Sequence, residues 1–214
     1  MIKAVIFDLD GVIINSIPLH IKAYDQVFRD FGFGYTRKDF NKLNGVPTFE
    51  TIETVLKKHK IKADPLAVTV KKERLVDHWL KEVPFFPGTE KTLRNLKAQG
   101  LMLAMATTVS RKIVHTILDD RKILQYFDSV TGGDEIKKVK PDPETFLRAA
   151  QKIKVNPQQC AGVDDTIIGI ESLCRAKMKS IAVTTSFSKS KLKKATVIVP
   201  HIGKITPALI SKFL

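Results

Sequence analysis

Residues 4–7, Ala-Val-Ile-Phe, form an unbroken apolar run that stops at Asp8-Leu9-Asp10-Gly11. A run this short, apolar at every position and rich in branched and aromatic side chains, describes a strand buried on both faces. That is the condition of a parallel strand held between helices. On a strand Asp8 and Asp10 would share a face, but Gly11 lets the chain leave the sheet and re-aim the second carboxylate. Carboxylates at the carboxyl end of a central parallel strand stand where open α/β sheets bind their ligands. Taken alone, the same residues also describe a strand closed by an ordinary Asp-Gly turn.

The rest of the chain supplies the context. Residues 16–31 read as a helix, with Leu19, Ala23 and Val27 on one face and Gly32 and Gly34 closing it. From there to Pro84 the pattern stays helical: Phe40, Leu43, Ile52, Val55 and Leu56 recur at spacings of three or four, and 66–80 reads as a further helix. Gly45-Val46-Pro47-Thr48 breaks this region, and Pro84 to Gly88 reads as a hinge. Beyond Gly88 helix and strand alternate. Helices are predicted over 89–99, from Ser110 to Leu118, from Asp142-Pro143-Glu144 onward and over 166–176. Strands are predicted over 101–106, 129–131, 159–163, 180–184 and 197–199. Such alternation implies a parallel sheet with helices on both faces. Residues 1–15 and 85–214 form the α/β core, and 16–84 form an all-helical insert after the first strand.

At 214 residues, 43% apolar and 27% charged, the chain can bury a full core without disulfides. Cys160 and Cys174 lack metal-ligand spacing and read as buried thiols. No run approaches the ~20 apolar residues of a membrane span, and the opening is strand-like, unlike a signal peptide. A cytoplasmic protein with no membrane association is expected. The net charge of +14 is concentrated late: no acidic residue follows Glu171, while Arg175, Lys177, Lys179, Lys189, Lys191, Lys193, Lys194, Lys204 and Lys212 do. A nucleic-acid footprint is one reading. Against it, 189–194 alternates Lys with Ser and Leu as a helix with a solvated face would, and few aromatics are interleaved for stacking. A basic exterior also steers anionic metabolites toward a cleft.

Four strand ends carry chemistry. The first gives Asp8 and Asp10; the second gives Thr107-Thr108 ahead of a helix. Lys140 lies in Val139-Lys140-Pro141-Asp142-Pro143, and the fourth ends at Asp164-Asp165. In a parallel sheet these ends share one edge. Four aspartates meeting there repel unless a cation sits among them, and hard oxygen ligands suit Mg²⁺.

Asp8-Leu9-Asp10-Gly11-Val12, Thr107, Lys140-Pro141 and Asp164-Asp165, in that order, resemble the four motifs of the haloacid dehalogenase-like superfamily, over nearly the whole chain. The insert, with Asn15-Ser16 and Pro18-Leu19-His20, is similar to the small cap of the branch containing β-phosphoglucomutase and phosphoglycolate phosphatase. The resemblance implies a Rossmann-like three-layer parallel-sheet core with a small helical cap. It also implies roles. Asp8 attacks phosphorus, forms an aspartyl-phosphate and ligates Mg²⁺. Asp10 protonates the leaving oxygen, then activates water, and ligates the metal through its carbonyl. The Thr107 hydroxyl, with the amides of Thr108 and Leu9 or Asp10, holds phosphoryl oxygens beside Gly11. Lys140 neutralises charge, Asp165 ligates Mg²⁺, and Asp164 ligates it directly or through water. His20 faces the cleft in many cap-bearing relatives, and equally fits a structural helix residue. Gly45 resembles the cap glycine whose loop closes over substrate, excluding water and selecting the leaving group.

Asp10 argues against a dehalogenase, since that branch lacks the second carboxylate. In β-phosphoglucomutase an arginine follows the cap Gly-Val by two positions. Here Thr48 stands there, with Lys38 or Lys42 the available substitutes. The expected function is Mg²⁺-dependent hydrolysis of a small phosphorylated metabolite, a sugar phosphate first, with phosphoglycolate or a nucleotide as other candidates. A phosphosugar mutase is the alternative, and a non-catalytic nucleic-acid or protein binder a third reading. Lys177, where the family commonly has glycine, departs from the pattern in a distal turn.

Overall fold

A computed structural model of the chain describes residues 1–44, 46–119 and 122–213. Strand β1 (Ala4–Phe7) is followed by helices α1 (Ile17–Arg29), α2 (Arg37–Leu43), α3 (Thr48–Lys58) and α4 (Pro65–Trp79). Alternation then begins with α5 (Thr89–Ala98), β2 (Met102–Ala106), α6 (Arg111–Asp119), β3 (Ser129–Thr131) and α7 (Glu144–Lys152). It continues through β4 (Cys160–Asp164), α8 (Ile167–Arg175), β5 (Lys179–Val183) and β6 (Val197–Val199) to the short α9 (Pro207–Ile210). The chain divides into two compact units, Met1–Asn15 with Pro84–Leu214, and Ser16–Val83.

In the first unit the strands form one sheet in the order β3-β2-β1-β4-β5-β6, parallel at every pairing. The steps β1 to β2 to β3 run one way and β3 to β4 to β5 the other. Right-handed crossovers therefore set α5 and α6 on one face and α7 and α8 on the opposite one. Alternation along β1 serves both faces: Ala4 and Ile6 pack with Phe146, Ala149, Ile170 and Leu173 of α7 and α8. Val5 and Phe7 point the other way, and Phe7 meets Phe127 edge-on at 6.3 Å. All four residues of β1 are fully buried, as a two-sided apolar strand requires.

The helix ends show a pattern that explains part of the charge. Helices α3, α6, α7 and α8 each stop at a lysine with left-handed backbone: Lys60, Lys122, Lys154 and Lys177, with φ of 55–59°. Each makes the paired bonds of a Schellman stop. At the end of α8, for example, Lys177 N–H donates to Cys174 C=O at 3.0 Å and Met178 N–H to Leu173 C=O at 3.1 Å. Glycine is the usual occupant of that position. Lysine accepts the backbone strain there and sets its charge beside the carbonyl end of the helix.

Three expectations are corrected. Residues 189–194 are not a helix but successive reverse turns, closed by Lys191 N–H to Ser188 C=O and Leu192 N–H to Lys189 C=O. Four lysines in six residues, with no acidic neighbour, repel one another at helical spacing, and the buried Leu192 pins the turns to the core instead. Cys174 is exposed on α8, whereas Cys160 is buried and its thiol is pushed up to about 12 by burial. Pro143 precedes α7 as its cap and does not occupy its first turn.

The second unit is held by an aromatic cluster of Tyr24, Phe28 and Tyr35 with Val27, Ile52, Val55, Leu56 and Val68. Asp25 closes the turn after α1, accepting from Arg29 Nε at 2.8 Å and Tyr35 N–H at 2.9 Å. Thr36 and Asp39 make a reciprocal capping box that starts α2.

Phe146, between α7 and the sheet, is the largest fully buried side chain of that cluster. Phe146→Ala is expected to lower the unfolding free energy by about 3–5 kcal/mol, read as a shift in urea midpoint.

Candidate active site

In a 3-2-1-4-5-6 parallel sheet the strand order reverses between β1 and β4, and the crevice beyond their carboxyl ends is the usual ligand site. Asp8 follows β1 and extends the β1–β4 pairing, its N–H donating to Val163 C=O at 3.0 Å. Asp164 ends β4 and Asp165 follows it. Thr107 follows β2, its N–H bonded to Thr131 C=O at 3.1 Å, and its buried hydroxyl accepts from Val109 N–H at 3.2 Å. Lys140, in the loop between β3 and α7, reaches across to the reversal point. Its ammonium lies 3.1 Å from Asp8 Oδ2 and 2.7 Å from Asp164 Oδ2, and 4.9 Å from the centre of the Phe146 ring.

Small residues make the close approach possible. The loop after β1 folds tightly because Leu9 C=O accepts from Ile13 N–H at 2.9 Å and from Ile14 N–H at 3.1 Å. The Leu9 side chain is wholly in the core, so only its backbone faces the loop. Gly11 has φ of +72°, and a Cβ there would fall 1.9 Å from Asp165 Oδ2. Gly169 does the same for the other carboxylate: a Cβ would meet Asp164 Cγ at 1.9 Å. Any side chain at either position would displace an aspartate.

The two carboxylates of β4 differ in their partners. Asp164 is fully engaged: Oδ1 accepts from Thr166 N–H at 2.8 Å and Thr166 Oγ1 at 2.7 Å, and Oδ2 from Lys140. Thr166 in turn caps α8 by accepting from Gly169 N–H. Asp165 accepts from Ser186 Oγ through Oδ2, while its Oδ1 is buried with no hydrogen-bond partner.

Burial raises the Asp8 carboxyl to about 7; Lys140 pulls it down, while Asp164 and Asp10 push it up. Asp165 is held well above the usual carboxylate range by burial and by the charges of Asp164 and Asp8, which Ser186 and Lys140 offset only in part. Burial alone would lower the Lys140 ammonium, but Asp164 and Asp8 outweigh it and hold it above its ordinary value. Among the described residues the Lys140 ammonium thus stands against the carboxyls of Asp8, Asp164 and Asp165, with Asp10 adding its charge beside Asp8. Oxygens of Asp8, Asp164 and Asp165 lie within 4.8 Å of one another, all buried. Close hard oxygen donors, an unsatisfied buried carboxylate oxygen and excess negative charge fit a small divalent cation.

The structure thus brings Asp8, Lys140, Asp164 and Asp165 into contact, with Thr107 at the neighbouring strand end. Asp10 lies in the loop after β1, bridged to Ile14. Thr108 is exposed. His20 belongs to the helical unit, where its Nδ1 is 3.0 Å from the buried Lys72 Nζ. Gly45 lies outside the described residues. Sequence reasoning missed Thr166, Gly169, Thr185 and Ser186. A signal was present, since Thr184-Thr185-Ser186 is a run of hydroxyls just after a parallel strand, on the edge already identified.

A carboxyl raised on folding destabilises the fold as pH climbs from the ordinary carboxylate range through its raised value, because over that window the unfolded chain has already given up a proton that the folded state still holds. Metal-free Asp165→Asn is therefore expected to melt above metal-free wild type at pH 8. The gain should shrink toward pH 4, as scanning calorimetry across pH would read.

The description "Haloacid dehalogenase-like hydrolase" fits a family pattern matched over residues 5–183. A phosphorylated carbohydrates phosphatase of Thermotoga maritima is 32% identical over 184 residues, covering 84% of this chain and 83% of that one. A fructose-1-phosphate phosphatase of Escherichia coli is 31% identical, covering 83% and 94%. Among solved structures, a β-phosphoglucomutase of Clostridium difficile superposes with a TM-score of 0.84 at 27% identity, covering 100% of this chain and 97% of that one. With four motifs in order on one edge of the sheet, the chain belongs to the haloacid dehalogenase-like hydrolases.

Proposed function

We propose that the protein is a Mg²⁺-dependent phosphatase that hydrolyses a small phosphomonoester, a sugar phosphate first, through an aspartyl-phosphate on Asp8, and that it works in the cytoplasm. The observation that carries this reading is the Asp8–Lys140–Asp164 bridge beside Asp165 at the strand-order reversal. Relatives in the same family that are named as phosphatases of phosphorylated carbohydrates and of fructose 1-phosphate support this reading.

In the first step an Asp8 oxygen attacks phosphorus. The bond from phosphorus to the leaving oxygen breaks, and Asp10 gives that oxygen its proton. In the second step Asp10 takes a proton from water, the water oxygen bonds to phosphorus, and the bond to Asp8 breaks to release phosphate. Lys140 holds Asp8 by one oxygen, so the carboxylate presents a fixed face, and its charge opposes that of the transferring group. The hydroxyl of Thr107 and the amides of Thr108 and of Leu9 or Asp10 hold the phosphoryl oxygens. Asp8, Asp165 and the carbonyl of Asp10 would hold Mg²⁺, with Asp164, both of whose oxygens are engaged, acting through Lys140 or a water. When bound, Mg²⁺ supplies neutralisation of carboxylate and phosphoryl charge.

Hydrolysis is favoured over mutase chemistry by Thr48, the first residue of α3, in the place of the mutase arginine. Lys42 of α2 lies 3.8 Å from Asp39, which partly neutralises it as a substitute.

Phosphate release should be measured from a panel of sugar phosphates, phosphoglycolate and nucleotides, with and without Mg²⁺. The wild type is expected to release phosphate only with Mg²⁺, and Asp8→Asn to lose at least about 10³-fold. Conversion of β-glucose 1-phosphate to glucose 6-phosphate with a bisphosphate activator, without net phosphate release, would instead establish the mutase.

A further inference from the structure

The proposed chemistry leaves two adjacent hydroxyls unassigned, Thr185 and Ser186, in the turn after β5. Ser186 Oγ donates to Asp165 Oδ2. Thr185 Oγ1 donates to Gly11 C=O at 2.5 Å. Gly11 is the residue whose missing Cβ leaves room for Asp165 Oδ2. One dipeptide therefore holds both sides of one of the close approaches in the site, the loop that carries Asp10 and the carboxylate that follows β4.

The consequence for Asp165 is geometric. With Oδ2 taken by Ser186, the carboxylate cannot rotate about its Cβ–Cγ bond without losing that bond. Its other oxygen, Oδ1, is buried and has no hydrogen-bond partner. A hydroxyl that donates to one carboxylate oxygen orients the other, as partners behind metal ligands generally do.

We propose that Ser186 is a positioning residue for the cation site: it occupies Asp165 Oδ2 and so leaves Oδ1 as the single oxygen offered to Mg²⁺. Thr185, by anchoring the Gly11 carbonyl, keeps the Asp10 loop at the distance this arrangement needs. The inference rests on the metal-dependent reading given above. It differs from a purely structural role because it concerns one oxygen of one ligand. Loss of the Ser186 hydroxyl frees Asp165 to turn, and Mg²⁺ must then bear the cost of ordering it.

Calorimetric titration of Mg²⁺ into metal-depleted wild type, Ser186→Ala and Ser186→Thr tests this, with phosphate release measured against Mg²⁺ concentration. Ser186→Ala is expected to bind Mg²⁺ about 10–100-fold more weakly, with Ser186→Thr restoring most of the affinity. The Mg²⁺ concentration for half-maximal release should rise in parallel, while the substrate KM at saturating Mg²⁺ stays near that of wild type. If metal-free Ser186→Ala melts too early to titrate, Ser186→Cys, of similar size but a weak donor, takes its place. Binding by Ser186→Ala within about twofold of wild type, or an equal loss in Ser186→Thr, overturns the proposal. Absence of Mg²⁺ binding by the wild type overturns the metal-dependent reading itself.

Discussion

The site depends on a single ammonium. Lys140 contacts Asp8 at 3.1 Å and Asp164 at 2.7 Å, with almost no exposure of any of the three side chains. A buried ion pair gains little net stability, because desolvation of both partners consumes most of their attraction. What the bridge fixes is geometry: it ties the end of β1 to the end of β4 and pins one oxygen of Asp8. Phe146 below the ammonium ties the same bridge to the packed face of α7. Catalytic geometry and core packing are thus joined through one side chain.

Topology puts the carboxylates there. A central β1, flanked by β2 and β4 in parallel register, lines Phe7 up with Met105 on one side and Val163 on the other. The next residues, Asp8 and Asp164, stand side by side where the two strands end. Gly169 makes room for Asp164 and Gly11 for Asp165, so a dense cluster of carboxyls forms inside a packed interior. Such a cluster works against folding by charge repulsion and desolvation. The fold tolerates it because the large apolar burial around β1 is distributed over both faces of the sheet. This is a stability cost located at the point of function.

Much of this was legible in the sequence, because strand ends announce themselves by an apolar run meeting a carboxylate, and because a parallel sheet collects such ends on one edge. Asp8, Asp164 and Asp165 stand out that way, and Lys140 by its place between prolines in a loop entering a helix. The family resemblance supplied their roles, which spacing alone does not contain. Ser186 and Thr185 were missed because hydroxyls after a strand are also ordinary turn residues, and their partners are more than twenty residues away in sequence. The turns of 189–194 were read as a helix because Lys, Ser and Leu satisfy helical spacing. The burial of Leu192, a tertiary fact, decides otherwise. The net charge of +14 also takes on a different meaning: Lys60, Lys122, Lys154 and Lys177 terminate helices, so part of the basicity serves the fold and does not mark an anionic partner.

The central claim is that Asp8, held by Lys140, attacks phosphorus. Its most direct test is acid quenching of the protein during turnover of a labelled sugar phosphate with Mg²⁺, followed by mass analysis of the peptide that carries Asp8. In the wild type, quenched during steady turnover, phosphate should be found on that peptide and nowhere else; in Asp10→Asn, which lacks both the acid for the leaving oxygen and the base for water, its formation and its loss should both slow. Sustained phosphate release by the wild type, with no phosphate on Asp8 in either protein, would contradict the account.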